Sequence, residues 1–313
     1  MTTRATIVVT EFMADAAVAD LAGSFPVQYD AGLADRRSDL LSAVGEARGL
    51  IVRNRTTVDE ELLGAAPRLE VVGRLGVGLD NIDLEACRAR NVDVRPALGA
   101  NAVAVAEYVV AAMLLLTRGG FEARDRVVAG DWPRSEMVGR EIAGKRLGLV
   151  GMGDIAREVA ERAAALGMDV SATDPFIGAD DAVWRRVARC SLGDLVAGSD
   201  IISIHVPLTP ETRHLFDAAR LDQMKESSIL INTSRGGTVD EDALVTALRS
   251  ATLRGAALDV FEQEPVDARG GSRFADVPNL ILTPHIAGVT EEANVRVSAV
   301  TAANVLAVLN RTG

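Results

Sequence analysis

The chain has 313 residues, 48% hydrophobic and 25% charged, the balance of a soluble globular protein with enough length for two domains, each with its own core. Its 33 Lys and Arg stand against 44 Asp and Glu, and the formal net charge of −11 argues against nucleic acid and anionic membrane as partners. No apolar run reaches the roughly 18 residues of a membrane span and no signal peptide is expected. The two cysteines, Cys87 and Cys190, form neither a disulfide framework nor a metal spacing, so a reducing cytoplasm and no metal are expected. The basic residues are nearly all Arg, Lys145 and Lys225 being the only lysines.

Strand patterns fall at 5–10, 26–29, 49–53, 70–73 and 92–95, with helices between them, such as 14–22 and a 58–65 helix stopped before Pro67. Such alternation predicts a parallel sheet covered on both faces. Asn101 is expected to cap a helix over 102–117, apolar nearly all round and hence buried between domains or subunits. An irregular arm, 119–141, carries Trp132 and Pro133. Strands resume at 147–150, 169–173, 200–204, 228–232, 255–259 and 280–283, and a final helix, 290–310, has no strand after it. That helix is expected to pack back on the N-terminal domain. The predicted fold is α/β, with two doubly wound parallel sheets. A Rossmann cofactor domain, 100–287, is inserted into a flavodoxin-like substrate domain built from 1–99 and 288–313.

The most informative stretch is 146–174. Leu147–Val150 reads as a buried strand, and Gly151, Gly153 and Ala156 spell G-x-G-x-x-A. A helix with Ile155, Val159, Ala163 and Leu166 on one face follows, stopped at Gly167. The next strand ends at Asp174. Gly151 makes the tight turn, Gly153 admits a pyrophosphate to the backbone, and Ala156 lets helix pack on strand. Asp174 is placed to hold the ribose diol and to repel a 2′-phosphate. With no Arg in Pro175-Phe176-Ile177, NAD is favoured over NADP.

Three segments follow late strands: 232–237 (Asn-Thr-Ser-Arg-Gly-Gly), 258–265 (Leu-Asp-Val-Phe-Glu-Gln-Glu-Pro) and 283–288 (Thr-Pro-His-Ile-Ala-Gly). Ligands of open parallel sheets sit outside the carboxyl ends of the strands, where Arg235, Glu264 and His285 can converge. Hydride transfer to a keto acid needs a cation for carboxylate and carbonyl, and an acid for the developing alkoxide. Arg235 suits the first and His285 the second. Glu264 would orient the ring and raise the imidazole pKa toward working pH. Taken singly, Arg235 also fits a surface turn, Glu264 a loop acid and His285 a structural histidine. His205 reads as lining the adenine side and His214 as structural.

These motifs resemble the D-isomer-specific 2-hydroxyacid dehydrogenase family, especially its phosphoglycerate dehydrogenase branch. The resemblance extends to 50–53 (Leu-Ile-Val-Arg), 71–83 (Val-Val-Gly-Arg-Leu-Gly-Val-Gly-Leu-Asp-Asn-Ile-Asp) and the helix opening at Asn101–Glu107, so it covers nearly the whole chain. It implies Arg235, Glu264 and His285 as the catalytic set. It places Val77, Asp154, Ile155, Asp174, Val206, Thr233, Ser234, Asp259 and 285–288, including Gly288, at the cofactor, with Asp259 on the nicotinamide carboxamide. It implies a homodimer formed through the cofactor domain and arm. Three departures stand out. Ala156 replaces the usual third glycine. Asp154 stands where Arg or Asn is common, putting an acid near the pyrophosphate. The sequence stops where many phosphoglycerate dehydrogenases continue into a regulatory domain, so serine feedback is not expected.

By the same resemblance Arg74, Leu75, Gly76 and Val77 form the carboxylate-binding loop. Arg53 and Arg74 face the substrate's distal anion, and Arg134 matches a position that can reach into a neighbouring subunit's site; Arg55 is a further cation nearby, and Arg55 and Arg134 fit solvated surface charges equally well. The expected substrate is a three-carbon 2-hydroxy acid with an anionic group at C3. The candidates are 3-sulfolactate, 3-phosphoglycerate and malate, and the wording of 52–56 and 99–101 is closer to sulfolactate-type enzymes. Alternatives are a hydroxypyruvate or glyoxylate reductase, a formate dehydrogenase, in which Gln stands where this chain has Glu264, and a non-catalytic NAD sensor.

Overall fold

The structure, a computed structural model, describes residues 6–311, so Ala5 of the first expected strand lies outside it. The chain divides into two compact units, one running to Asn101 and resuming at Val289, the other Ala102–Gly288. Among the described residues no helix is long and apolar enough to cross a membrane.

The first unit holds a parallel sheet of β1 (Thr6–Val9), β2 (Val27–Tyr29), β3 (Ala47–Val52), β4 (Val71–Arg74) and β5 (Asp93–Pro96), in the order β2-β1-β3-β4-β5. The period-2 pleat divides its apolar residues between two cores. Ile7, Val9, Ile51 and Val71 face helices Asp15–Ala22 and Glu291–Leu309. Val8, Leu50, Val52 and Val72 face helices Arg37–Ala43, Glu60–Ala65 and Leu84–Ala89. The last helix of the chain packs on β4 so closely that a Cβ on Gly73 would stand 2.6 Å from Val305 and 2.9 Å from Thr301. The order reverses between β1 and β3, so the loops after those two strands diverge at their carboxyl ends, the usual place for a ligand.

The second unit holds β6 (Arg146–Val150), β7 (Asp169–Thr173), β8 (Ala188–Arg189), β9 (Ile201–Ile204), β10 (Ile229–Asn232), β11 (Gly255–Leu258) and β12 (Leu280–Leu282), all parallel, in the order β12-β11-β10-β9-β6-β7-β8. The reversal falls at β6 and β9. One face is covered by helices Ala102–Arg118 and Asp154–Ala165 over Leu147, Leu149, Ile229 and Ile231. Helices Leu192–Gly198 and Glu241–Arg249 cover the other, over Val150, Ile202, Ile204 and Leu230.

Five details differ from the sequence reading. Helix Ala102–Arg118 is not buried all round: Leu114 and Leu115 remain 37% and 40% exposed. Asn101 does not cap it, since its Oδ1 is buried without a hydrogen-bond partner. The arm contains a 3₁₀ turn, Gly120–Ala123, and a short helix, Arg124–Val128, which local backbone bonding favours even without a buried face. The edge strand β8 is two residues long, too short to leave a periodic signal. Leu166 ends up exposed because the helix stops at Ala165, and Gly167, at φ +81°, turns the chain into β7.

Candidate active site

The glycine turn lies where the second sheet reverses. Gly151 has φ +90°, and a Cβ there would approach the His205 carbonyl oxygen to 2.6 Å, so only glycine lets β6 and β9 end this close together. Above Gly153 a Cβ would meet nothing within 4 Å, which leaves the start of helix Asp154–Ala165 open to a bound group. No side chain caps that helix end. Its N–H groups and dipole therefore remain available to a pyrophosphate. Ala156 is fully buried beneath the turn, where its single methyl is accommodated. Ile155 is partly buried and Asp154 is exposed in the first helical turn, where its charge favours the helix and disfavours an approaching anion. Arg157 donates from Nε to the Met152 carbonyl at 3.2 Å and sits 3.6 Å from Asp181.

Asp174 closes the other side of the turn. One carboxylate oxygen accepts the Met152 N–H and the other the Phe176 N–H, both at 2.9 Å. Two buried polar atoms near the ends of the central strands lack partners: Nε2 of His205, after β9, and Oγ1 of Thr233, after β10. Burial alone lowers the His205 pKa to about 4, so the ring is neutral at neutral pH. An open glycine cradle, an uncapped helix start, an acid at the strand end and unsatisfied polar atoms together fit a dinucleotide. Val206 follows His205 and is partly buried.

The segments after β10, β11 and β12 meet as an interlocked set of loops. Asn232 Oδ1 accepts from both the N–H and the hydroxyl of Ser234, and Asn232 Nδ2 donates to the Arg235 carbonyl, fixing the turn that presents Arg235. Asp259, 1% exposed, has its oxygens engaged by the Thr283 hydroxyl at 2.6 Å and by the Ile286 and Ala287 N–H groups at 2.8 Å each. Three donors from its neighbouring loop therefore occupy the carboxylate that the family pattern assigns to a carboxamide. Thr283 shares a 2.6 Å hydrogen bond with the hydroxyl of Tyr108, a residue that no sequence motif singles out. The His285 N–H donates to the Asp259 carbonyl, holding His285 at φ +55°. Gly288 ends this unit.

Nδ1 of His285 lies 2.6 Å from Glu264 Oε2, while Glu264 Oε1 accepts the Phe261 N–H at 2.9 Å. Burial pushes the Glu264 carboxyl up, but these two hydrogen bonds and the charges of His285 and Arg235 outweigh it. Its pKa lies below the ordinary carboxylate value. Arg235, Glu264 and His285 are thus brought together, with the histidine ring about half exposed. Among the described residues no group of three or more His, Cys, Asp and Glu is placed to hold a metal. His214, read as structural, pairs with Glu262 at 3.1 Å.

In the first unit Arg53 follows β3 and Arg74 ends the neighbouring β4, whose register sets Arg74 opposite Val52. The loop after β3 closes on Glu11, a 3%-exposed acid just beyond β1 that the sequence reading missed. Its carboxylate accepts N–H groups from Arg53 at 2.8 Å, Asn54 at 3.3 Å, Arg55 at 3.1 Å and Thr56 at 3.0 Å. Burial raises the Glu11 pKa, and the hydrogen bonds lower it by more. Arg53 donates to Asn294 Oδ1 at 2.9 Å, and Asn81 braces the loop through the Arg53 and Thr56 carbonyls. Arg74 folds back over its own loop, donating to the Leu75 carbonyl beside Gly76 at φ +139°. Val77 is exposed. Arg55 is exposed and paired with Asp35, as expected of a solvated surface charge. Arg134 lies in the exposed arm of the second unit and its side chain has no hydrogen-bond or ion-pair partner among the described residues.

Residues 110–287 match the family model of the D-isomer specific 2-hydroxyacid dehydrogenase NAD binding domain. The chain is 53% identical over 300 residues to the (S)-sulfolactate dehydrogenase of Chromohalobacter salexigens, covering 96% of each. It is 41% identical over 290 residues to the D-3-phosphoglycerate dehydrogenase of Mycobacterium leprae, covering 93% of this chain but 54% of that one, so it spans about half the length of that relative. The solved structure of the TT0316 protein from Thermus thermophilus superposes with a TM-score of 0.88 at 35% identity, over 98% of this chain and 97% of that one.

Proposed function

The chain belongs to the D-isomer-specific 2-hydroxyacid dehydrogenases, NAD-dependent oxidoreductases, and from that premise we propose that its substrate is a three-carbon 2-hydroxy acid with an anionic group at C3, 3-sulfolactate or 3-phosphoglycerate. The observation that carries this reading is the pair Arg53 and Arg74, held on built loops at adjacent strand ends in addition to Arg235. The 53% identity to a sulfolactate dehydrogenase over both full lengths favours the sulfonate.

NAD would supply the hydride acceptor and, when reduced, the hydride donor. Gly151, Gly153 and the helix start would hold its pyrophosphate, and Asp174 its ribose diol. Arg235 binds the substrate carboxylate and carbonyl through its planar fork. His285 exchanges the proton of the C2 hydroxyl at Nε2, and Glu264, hydrogen-bonded at Nδ1, keeps that edge of the ring presented and stabilises the imidazolium. The main chain at 75–77 takes the substrate carboxylate, and Arg53 and Arg74 the second anion. Arg134 adds a cation to its own or a neighbouring subunit's site.

We further propose a homodimer formed through the second unit and its arm, where Leu115, Phe121, Val128, Trp132 and Val138 are each exposed. A cytoplasmic location is supported by the free thiols of Cys87 and Cys190. The substrate reading is tested with sulfolactate, phosphoglycerate, malate, glycerate and lactate assayed side by side. A buried charged hydrogen bond left without its partner costs about 2–5 kcal/mol, so D-lactate should lose roughly 30-fold to several-thousand-fold in kcat/KM. Arg74→Ala should abolish most of that discrimination while hurting lactate little. Lactate or glycerate turning over as well as any dianion overturns the proposal, and absence of turnover with every acid favours an NAD sensor.

A further inference from the structure

The acid Glu241 opens helix Glu241–Arg249, yet the residue is only 4% exposed. Its Oε1 accepts the Glu262 N–H at 2.6 Å, and its own N–H donates to Glu262 Oε1 at 3.3 Å, so the two acids exchange main-chain hydrogen bonds. Arg273 reaches Glu241 Oε2 at 3.2 Å and Asp242 at 3.5 Å, and His214 Nε2 lies 3.1 Å from the same Glu262 Oε1. Burying a carboxylate is costly, and here burial and the nearby Glu262 charge raise the Glu241 pKa against the help of the Glu262 N–H and Arg273. Capping of the helix does not require the acid, because Asp240 already caps it through the Ala243 N–H.

Its position on the loops supplies the reason. Glu262 stands two residues before Glu264, and the Phe261 N–H is itself bound by Glu264. The turn 261–264 is therefore closed from inside by Glu264 and from outside by Glu241. The same turn touches the arginine loop: a Cβ on Gly236 would collide with the Phe261 carbonyl and the Glu262 nitrogen. The chain then runs from Gly236 to Glu241 in five residues.

We propose that Glu241 is a positioning residue of the reaction: by clamping the Glu262 main chain it sets the Glu264–His285 couple in register with Arg235. This rests on the reading of that couple as the proton-transfer site. The groups facing the clamp are Glu262, Arg273, Asp242 and His214, and those facing Glu264 are His285 and Arg235.

The test uses the full-length protein and two readouts. The His285 ring C–H resonance, observed by NMR on isotopically labelled protein and identified by its loss in His285→Ala, reports the His285–Glu264 couple. Glu241→Ala and Glu241→Asp, the latter keeping the charge at the helix start but too short to reach Glu262, should shift or broaden it. Both should lower kcat about 10- to 100-fold with KM for NADH little changed, since misplacement on the order of 1 Å costs that much. Glu241→Gln, which keeps the acceptor, should restore resonance and most of the rate. Folded variants with wild-type resonance overturn the proposal, even where kcat falls. Near-normal turnover in His285→Ala overturns the reading of the couple instead, and is recognised separately because the resonance would still respond to Glu241.

Discussion

The two units use the same device for different ends. In each, at the carboxyl edge of a parallel sheet, one buried carboxylate gathers the donors of a neighbouring loop: Glu11 takes four N–H groups of 53–56, and Asp259 takes two N–H groups and a hydroxyl of 283–287. The loops so organised differ in chemistry. The second unit presents a histidine–carboxylate couple that can move a proton. The first presents arginines, whose charge does not change at any working pH. Turnover should therefore be set in the second unit and substrate choice in the first.

That division breaks most visibly at His285. His285→Ala should lower kcat by about 10²–10⁴, the usual worth of a positioned general acid–base. NAD affinity, measured by fluorescence titration, should change far less. A near-normal kcat would place the proton donor elsewhere and remove the distinction between the units.

The next effect sharpens the picture within the second unit. Asp174 is bonded to Met152 and Phe176 main chain, and Pro175-Phe176-Ile177 after it supplies no Arg to receive a 2′-phosphate. NAD should be preferred over NADP by at least about tenfold in kcat/KM, and replacing Asp174 by a small neutral residue with an Arg added nearby should relax the preference. Equal efficiency with both cofactors would contradict this role for Asp174.

Glu264→Gln should act more mildly, about tenfold in kcat, and leave a signature in pH. The native carboxyl titrates below the ordinary value near 4.3, so the pair with His285 persists above that pH and is lost only as pH falls through the lowered pKa. Wild-type reduction should hold its rate on the acid side down to the ordinary carboxylate range and fail below it. The Gln variant should run lower and lack that acid limb. An unchanged limb would show that another group produces it.

Much of this architecture was legible in the sequence, for physical reasons. Parallel strands buried on both faces are largely apolar runs, so the sequence places strands at 147–150, 200–204 and 228–232. Gly151 was legible because the turn admits no other residue. Arg235, Glu264 and His285 could be grouped because parallel strands deliver their following loops to one edge. What escaped were partners that meet only after folding. Glu11 and Arg53 are 42 residues apart and Tyr108 and Thr283 are 175 apart, with no periodicity to link them. An acid directly after the first strand of a parallel sheet was the one available sign of Glu11. Asn101 misled because a capping residue type was taken for a capping bond.

Glu11 gives the smallest expected effect and the sharpest test of the division. A glutamine there keeps one acceptor oxygen but points an NH₂ at N–H groups that need acceptors, leaving two or more buried donors poorly satisfied. Glu11→Gln should lower stability by about 2–3 kcal/mol. Glu11 is held below the ordinary carboxylate range, so its contribution is present above about pH 4.3 and fades only as pH falls through the lowered value. The difference in stability between wild type and Glu11→Gln, followed by denaturant unfolding, should therefore be constant from about pH 6 to 8 and shrink in acid. With the 53–56 loop loosened, Arg53 is less well placed, and KM for the anionic substrate should rise roughly 3- to 10-fold. Saturating kcat should stay near wild type, because the residues proposed for proton transfer, Glu264 and His285, lie in the second unit. KM for lactate, which has no second anion to place, should barely move. A fall in kcat at saturation as large as the rise in KM would show that the first unit's loop contributes to the transition state as well as to selection.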